Sequence, residues 1–528
     1  MPTRLLLALT AALLILRLPS LVRPMGPDQG LYAYVGERIL HGELAYRDAW
    51  DQKPPGIHYV YAALRALSRR DVIVPGADLA AAALVAALVW IAGWRLGGPV
   101  AGGASAAIFL LLSDPSFARY GGVRVRAQCE TFIALTVTGA VAAGLSRRSP
   151  GGAKADAWGA LGAGVLLGAA FALKYNAGLY VIVVLFAFAV TAGLRPRDVA
   201  LIAIGALVIP SALFVVFWRG GALDDLFQST IQYNFLYSGE TYASRWDMAR
   251  YLVTFPIQHA RVDALWFTGG LGCLVLLVAG LRRPGRRSLG EGCRAVWIPV
   301  VWVAAACFSI AINGSRNLPQ YFVQAAPALA LAAGLGAAIA LTTLPTLLRW
   351  IVILAVAVGV WRIDDFPKLA ANVRHDLAYA RGRIDRRTHL ARYGGTRDVD
   401  KYSALDNLDL GTFMGARTRP DEASFVFGFS PAAYVYADRR SASRFFWSRP
   451  VILDFHHDDP RWGVAGLLSD LQRARPAYVV LQRHDWSPDV QDSAPFFMSQ
   501  PSLSGWLRAG YHQVFIIDGF DAWERNER

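Results

Sequence analysis

The chain has 528 residues, of which 55% are hydrophobic, and its mean hydropathy is +0.34. Charged residues make up only 17%, against about 25% in a typical soluble domain, which excludes an ordinary soluble enzyme. The net charge of +14 would suit nucleic-acid binding in a soluble protein. Here, however, many arginines stand between apolar runs, where they set topology and meet anionic headgroups. The composition therefore predicts a polytopic membrane protein whose partner is the lipid bilayer and not a nucleic acid.

Eleven apolar runs predict spanning helices, since a helix needs about 20 apolar residues to cross a bilayer. The first run is interpreted as an uncleaved span, because no small-residue cleavage site precedes the polar loop that follows it. The run Ile57–Leu67 is too short to span, and we expect it to form a helix at the interface. The eleven runs are Leu5–Val22, Ala77–Leu96, Pro99–Phe117, Thr131–Leu145, Trp158–Leu173, Ala177–Leu194, Val199–Trp218, Ala264–Leu281, Ala295–Ile312, Tyr321–Leu341 and Leu347–Val360.

The arginines between these runs predict an orientation. With the N-terminus in the cytoplasm, four of the five cytoplasmic connections contain arginine, including Arg147-Arg148 and the segment Arg282–Arg287. An odd number of spans then places the region after Val360 outside. The outward connections also contain Arg and Lys, and charges that depart from the topology rule are candidates for function.

We divide the chain into a membrane domain, residues 1–361, and an extracytoplasmic domain, residues 362–528. The second region has no spanning run. Short apolar runs predict strands at Ser424–Phe429, Tyr478–Leu481 and Val514–Ile517, separated by helical or loop segments. We therefore expect a small C-terminal α/β domain.

The outward loop at residues 23–76 is the most informative stretch, because it is polar, charged and aromatic and directly follows an apolar segment. It contains Asp28, Tyr32 and Lys53, and the last of these precedes the rigid pair Pro54-Pro55. A carboxylate in such a place suits deprotonation of an attacking hydroxyl, or binding of a divalent metal ion. The loop is a candidate site for chemistry at the lipid surface.

Further candidate residues lie in the other outward connections, close to the ends of predicted spans. Cations there suit a phosphate on a lipid carrier, because arginine offers a bidentate fork and lysine a point charge. The candidates are Arg119, Arg124, Arg126, Glu130, Lys174, Arg316, Gln320 and Tyr321.

These motifs resemble those of the GT-C superfamily of membrane glycosyltransferases, which includes the protein mannosyltransferases and the bacterial aminoarabinose lipid A transferase. The resemblance covers about residues 1–345. Gln29 stands where the family has a second acid, and Gln320 stands where it has histidine. Residues 428–434, followed by residues 439–444, also look like the tail of bacterial members. The matching segments are Asp28-Gln29-Gly30-Leu31-Tyr32-Ala33, Lys53-Pro54-Pro55-Gly56, Glu130, Leu173-Lys174 and Arg316-Asn317-Leu318-Pro319-Gln320-Tyr321-Phe322.

The resemblance implies a GT-C fold of about eleven transmembrane helices in the plasma (inner) membrane. It also implies transfer, with inversion, of a sugar from a polyprenyl-phosphate donor to a cell-envelope acceptor on the outer face, the acceptor being a glycan, a lipid or a protein. Asp28 would then handle the acceptor proton, and Glu130 would assist with the acceptor or a metal. The residues implied to hold the donor phosphate are Lys53, Lys174, Arg316, Gln320 and Tyr321, and those implied to bind substrate are Tyr32, Arg119, Arg124 and Arg126.

Two other classes of protein stay open. A transporter or flippase of lipid-linked sugars would also need basic cavities facing the membrane, but no inverted repeat is detectable and the charges gather at span ends rather than at the midplane. A receptor with a solute-binding outer domain does not explain Lys53-Pro54-Pro55.

If a divalent metal takes part, Asp28 and Glu130 are its candidate ligands, and the sequence indicates no other cofactor.

Overall fold

The computed structural model describes residues 2–120, 122–146, 152–239, 241–281, 295–394, 402–456, 458–517 and 519–526. The predicted cytoplasmic connections at 147–148 and 282–287 lie outside these residues. The chain forms two compact units, each assembled from separate segments. The first unit consists of Met1–Leu21, Gly76–Val216 and Phe235–Leu377, and the second consists of Val22–Pro75, Phe217–Asn234 and Ala378–Arg528. The domain limits 1–361 and 362–528 stay a prediction.

Helices dominate the chain up to residue 380, because in an apolar environment a helix satisfies its backbone hydrogen bonds within itself. Helices α2, α3 and α9 belong to the second unit. In chain order the helices are α1 Pro2–Leu16, α2 Pro27–Leu40, α3 Gly56–Leu67, α4 Ile73–Leu112, α5 Cys129–Leu145, α6 Gly152–Leu173, α7 Val181–Ala192, α8 Pro196–Arg219, α9 Leu223–Phe227, α10 Tyr233–Gly239, α11 Arg245–His259, α12 Ala264–Leu281, α13 Trp297–Ile312, α14 Pro319–Phe322, α15 Ala326–Thr343, α16 Thr346–Ile363 and α17 Phe366–Ala380.

Among the described residues, seven helical segments are long and apolar enough to cross a membrane, and three further apolar helices are shorter. The shorter ones are Cys129–Leu145, Tyr175–Thr191 and Trp297–Ile312. The fold class predicted from the sequence, a helical polytopic membrane protein, is therefore confirmed. The seven long segments are Thr3–Val22, Ile73–Leu112, Asp156–Leu173, Pro196–Arg219, Ala264–Leu281, Pro319–Thr343 and Thr346–Ile363.

Helix α4 accounts for two of the predicted runs. Its 40 residues would extend about 60 Å as one straight helix, twice the thickness of a bilayer core. The backbone leaves the helical region at Gly98, where φ is +84°, and Pro99 follows. A Cβ atom on Gly93 would lie 2.8 Å from the Cα of Gly102, so the chain reverses and its two halves pack together. All eleven predicted runs thus consist mainly of helix; that all of them cross the bilayer stays a prediction.

Helices α12 and α15 pack closely through glycine. A Cβ atom on Gly336 would lie 2.8 Å from the Cα of Gly272, and one on Gly272 would clash with the carbonyl of Ala332. Small residues at such crossings are typical of membrane helices, because lipid provides no hydrophobic driving force and close backbone contact must supply the stabilisation.

The second unit contains a four-stranded sheet in the order β1-β2-β4-β3. Strands β1 (Phe425–Phe427) and β2 (Tyr478–Gln482) are parallel and fully buried, as is typical of strands covered on both faces. Strand β4 (Phe520–Arg525) pairs antiparallel with both β2 and β3 (Tyr511–Ile517). The three predicted strands are confirmed, and β4 was missed. The helices are α18 Arg386–Leu390, α19 Ala404–Arg417, α20 Ala432–Ala437, α21 Arg449–Ile452, α22 Gly463–Ala474, α23 Ser493–Ser499 and α24 Pro501–Gly510.

Helix α2, which carries Asp28 and Tyr32, is buried along most of its length inside the second unit. It contacts α20 at Gly30, where a Cβ atom would lie 2.7 Å from that of Ala432. The hydroxyl of Tyr34 accepts a hydrogen bond of 2.8 Å from the backbone N–H of Ser441. The C-terminal segment that resembles bacterial GT-C members therefore packs directly on the helix of the proposed catalytic acid.

We predict that Gly272→Ala lowers the thermal stability of the purified protein in detergent, because the added methyl group forces α12 away from α15. Overpacking of this kind costs about 1–3 kcal/mol. The matched control is Gly270→Ala on the same helix, where an added Cβ meets no atom within 4 Å. Equal melting temperatures for the two variants would contradict the close packing.

Candidate active site

Glu130 and Lys174 form a buried ion pair inside the first unit. Glu130 lies in the first turn of α5, and Lys174 follows the last residue of α6. The Lys174 Nζ atom donates to Glu130 Oε1 at 2.5 Å, and the two residues are 8% and 2% exposed. A negative charge is favourable at a helix N-terminus and a positive charge at a C-terminus, so both helix dipoles stabilise the pair. Two candidates from different predicted connections are thus brought together.

Tyr321 and Tyr237 extend this pair to Arg316. The Lys174 ammonium lies 4.2 Å from the centre of the Tyr321 ring, and the hydroxyls of Tyr321 and Tyr237 are 3.4 Å apart. The Arg316 guanidinium lies over the Tyr237 ring, with its Cζ atom 3.5 Å from the ring centre. Carboxylate, ammonium, two phenols and guanidinium therefore form a continuous series of contacts, which we call the cation chain. Gln320 is half-buried beside Tyr321 in α14.

A buried network of neutral polar groups fixes the backbone around the cation chain. The Gln324 side chain accepts hydrogen bonds from Tyr180 and Ser309 and donates to the carbonyl of Tyr321. The Asn176 amide, two residues after Lys174, donates to both oxygens of Ser309 at 2.7 and 2.9 Å. A polar network satisfied in this way is rigid in a low-dielectric interior, so the positions of Lys174 and Tyr321 are fixed together.

Asp28, Tyr32 and Lys53 belong to the second unit. Asp28 is half-buried in the first turn of α2, while Tyr32 is 1% exposed and packs edge-on against Tyr61 at 5.4 Å between ring centres. Lys53 is half-buried, and its carbonyl accepts a hydrogen bond of 2.8 Å from the hydroxyl of Tyr46. Glu37, further along α2, bonds to Arg65 at 2.6 Å, and burial raises the pKa of its carboxyl.

The loop that leads to Lys53 is held firmly within the second unit. Trp50 donates its backbone N–H to the carbonyl of Arg444 at 2.8 Å, and its own carbonyl accepts from the Trp447 indole at 3.0 Å. Asp51 and His58 are both buried, with 3.2 Å between Oδ2 and Nε2. The position of Lys53 therefore rests on packing by residues around 444–447, which the motif Lys53-Pro54-Pro55 alone does not predict.

The three arginines predicted to bind substrate are placed in the first unit. Arg119 forms ion pairs with Asp263 and Asp364, and burial raises the pKa of Asp364 to about 6 although Arg119 opposes the shift. Arg126 is 3% exposed and donates to both the carbonyl and the hydroxyl of Ser20. Arg124 is half-buried, and its carbonyl accepts from the Gln128 side chain. Substrate binding by these arginines stays a prediction, and Arg119 and Arg126 have in addition a clear role in joining segments of the first unit.

Among the described residues, no three His, Cys, Asp or Glu side chains lie together in a way that could hold a metal ion. One oxygen of the Glu130 carboxylate contacts the Lys174 ammonium. Metal binding by Asp28 and Glu130 stays a prediction, and the mechanism below is derived from the protein's own side chains.

Comparison with solved structures finds this fold in a known membrane protein. ArnT from Cupriavidus metallidurans bound to undecaprenyl phosphate is 16% identical over 98% of this chain and 97% of that chain, with a TM-score of 0.58. Its apo structure is 15% identical over 99% and 98%, with a TM-score of 0.59. The apo oligosaccharyltransferase of Archaeoglobus fulgidus is 13% identical over 90% and 69%, with a TM-score of 0.48, below the level at which a shared fold is inferred. No protein-family model and no curated protein matches the chain.

The chain thus shares the fold of ArnT, which agrees with the fold expected from the motif resemblance, and it is a helical polytopic membrane protein. ArnT is one of the solved structures that match the chain over nearly its whole length, and the match also covers nearly the whole of ArnT. The match extends well beyond residues 1–345, which contain most of the motifs.

We predict that Arg119→Ala strongly lowers thermal stability, because it leaves the buried carboxylates of Asp263 and Asp364 without their cation. Breaking a buried pair from one side costs about 3–5 kcal/mol. Adding Asp364→Asn to this variant should restore part of the loss. Arg362→Ala, which removes an exposed arginine two residues from Asp364, is the control. A variant with wild-type stability and weakened substrate use would instead support substrate binding by Arg119.

Proposed function

We propose that the protein is a membrane glycosyltransferase that moves a sugar from a polyprenyl-phosphate donor to a cell-envelope acceptor on the outer face of the plasma membrane. The observation that carries this proposal is the cation chain, in which Lys174 directly follows an apolar helix, Arg316 lies in the loop after another, and both contact aromatic rings. Buried or half-buried cations at that position suit a phosphate that is attached to a lipid.

The shared fold supports the same proposal. ArnT has been solved with undecaprenyl phosphate bound, and it matches this chain over 98% of its length. An enzyme that uses a lipid-linked sugar has to bind both an apolar chain and a charged phosphate, and the first unit offers apolar helices together with basic residues at their ends. Three points are part of the proposal: that the transferred group is a sugar, that transfer inverts its configuration, and that the C-terminal region faces outside.

The proposed reaction is a direct displacement at the anomeric carbon of the donor sugar. The acceptor hydroxyl forms the new glycosidic bond while the bond from the anomeric carbon to the phosphate oxygen breaks, which inverts the configuration. Asp28 accepts the hydroxyl proton, and the leaving group is polyprenyl phosphate. Lys53, Lys174 and Arg316 neutralise the charge that develops on this phosphate, and such stabilisation is often the largest contribution to catalysis.

Glu130 acts in this scheme through Lys174. Its carboxylate holds the ammonium at 2.5 Å, so that a flexible lysine side chain is presented in one position. Pre-organisation of a charge lowers the cost of binding the phosphate, since less side-chain freedom is lost on binding. Gln320 and Tyr321 stay proposed phosphate contacts, and Tyr32 a proposed substrate contact.

We predict that Asp28→Asn lowers turnover about 100-fold or more, because the amide keeps the shape of the side chain but cannot accept the proton. The measurement is sugar transfer from a radiolabelled polyprenyl-phosphate donor to cell-envelope extract. The control is Asp438→Asn, which changes an exposed carboxylate in the same unit, at a left-handed position that asparagine tolerates. Turnover near the wild-type value in Asp28→Asn would eliminate the proposed base.

We predict that Lys53→Ala raises the donor concentration needed for half-maximal turnover about 10- to 100-fold. Hydrogen bonds to charged groups contribute about 1.5–3 kcal/mol each, and 1.4 kcal/mol corresponds to tenfold. Lys174→Met should raise it similarly. This substitution is combined with Glu130→Gln, because otherwise the buried Glu130 carboxylate would lose its partner. The control is Lys368→Ala, at an exposed lysine. If both test variants need the same donor concentration as the wild type, Lys53 and Lys174 do not bind the donor phosphate and contact only lipid headgroups.

A further inference from the structure

Tyr237 joins the two cations of the first unit, although no motif in the sequence marks it. Its ring carries the Arg316 guanidinium at 3.5 Å, and its hydroxyl lies 3.4 Å from that of Tyr321, whose ring in turn carries Lys174. A distance of 3.5 Å from Cζ to the ring centre places the guanidinium over the middle of the aromatic face, where the interaction of a cation with the ring is most favourable.

The loop that carries Arg316 is shaped so that it presents this side chain to Tyr237. Gly314 and Asn317 both have positive φ angles, +95° and +51°, so the backbone turns sharply on each side of Arg316. The segment just after Tyr237 holds this turn, since Thr241 accepts from the backbone N–H of Ser315 and also from its hydroxyl, each at 3.1 Å. Tyr237 and the loop of Arg316 are therefore fixed to each other by backbone and side chain.

Two further tyrosines support the same loop from α11 and from the segment before it. The Tyr242 hydroxyl donates to the carbonyl of Ala311 at 2.9 Å, and the Tyr251 hydroxyl donates to Asn317 Oδ1 at 2.7 Å. These bonds hold the ends of the loop, whereas Tyr237 is the tyrosine that contacts the Arg316 side chain itself. If Tyr237 served only to anchor the loop, its ring would not need to lie under the guanidinium.

We propose that Tyr237 is a positioning residue, which holds Arg316 by its ring and connects it through Tyr321 to Lys174, so that both cations face one lipid-linked phosphate. Stacking on a ring occupies the face of a guanidinium and leaves its N–H groups at the edge, which is the geometry for bidentate binding of phosphate. This inference rests on the proposed function, because it names the residue that orients the proposed donor-phosphate contacts.

The test measures the binding of undecaprenyl phosphate to the purified full-length protein in detergent, which needs no sugar and no turnover. Tyr237→Leu should weaken binding about tenfold, because both the ring and the hydroxyl are lost. Tyr237→Phe keeps the ring and should weaken it only about two- to fivefold. The matched control is Phe235→Leu, which removes a ring that is 75% exposed on the same helix, and it should bind as the wild type does.

A double-mutant cycle separates positioning from general structural support. If the Tyr237 ring acts through Arg316, then Tyr237→Leu added to Arg316→Ala should weaken binding by no more than the roughly two- to fivefold expected from loss of the hydroxyl, and not by the full tenfold. Additive losses, or wild-type binding by Tyr237→Leu while Arg316→Ala binds weakly, would overturn the positioning role and leave the proposed function intact. Failure of the wild-type protein to bind undecaprenyl phosphate would overturn the inference together with the phosphate contacts, while the sugar-transfer assay decides the proposed function independently.

Discussion

The buried ion pair between Glu130 and Lys174 is the contact on which the proposed site depends. An ion moved into a protein interior loses several kcal/mol of hydration, so neither charge would be stable there without the other. The pair exists because α5 begins where α6 ends, and because each charge stands at the helix end that favours its sign. The packing of two apolar helices therefore decides where Lys174, a proposed phosphate contact, is placed.

The residues around this ion pair connect it to a second cation, Arg316. Gln324 and its hydrogen-bond partners fix the backbone near Lys174 and Tyr321. The rings of Tyr321 and Tyr237 then contact Lys174 and Arg316 respectively. Each cation is thus held by an aromatic face, and Lys174 also by a carboxylate. Charged residues close to apolar helices are rare and are often functional. ArnT, which shares the fold, has been solved with undecaprenyl phosphate bound, and a lipid-linked phosphate is the ligand that we propose for these cations.

The helical runs and three of the four strands could be predicted from the sequence, because they depend on local apolar patterns and on breaks such as Gly98-Pro99. Strand β4 could not, since its sequence Phe-Asp-Ala-Trp-Glu-Arg has a weak apolar pattern and its pairing with β2 decides its structure. The types and places of Glu130, Lys174 and Arg316 were likewise predictable, as charges at span ends. Their contacts were not, because they join segments far apart in sequence.

The same limit explains Tyr237 and Arg119. A tyrosine near a membrane is common, so only the position of its ring under Arg316 distinguishes Tyr237. Arg119 was predicted to bind substrate because it stands in a basic connection, and its partners Asp263 and Asp364 are more than a hundred residues away in the sequence. Residue type and location at the membrane surface indicate candidates, but long-range pairing decides whether a charge is also required for the fold.

The most direct test of the central claim follows the fate of the sugar label. The purified protein is reconstituted in liposomes with a polyprenyl-phosphate donor labelled in its sugar, together with cell-envelope acceptor. The account predicts that the label moves to the acceptor and that an equal amount of polyprenyl phosphate is released. If instead the label stays on the lipid and only changes leaflet, the protein is a transporter of lipid-linked sugars and the glycosyltransferase account is contradicted.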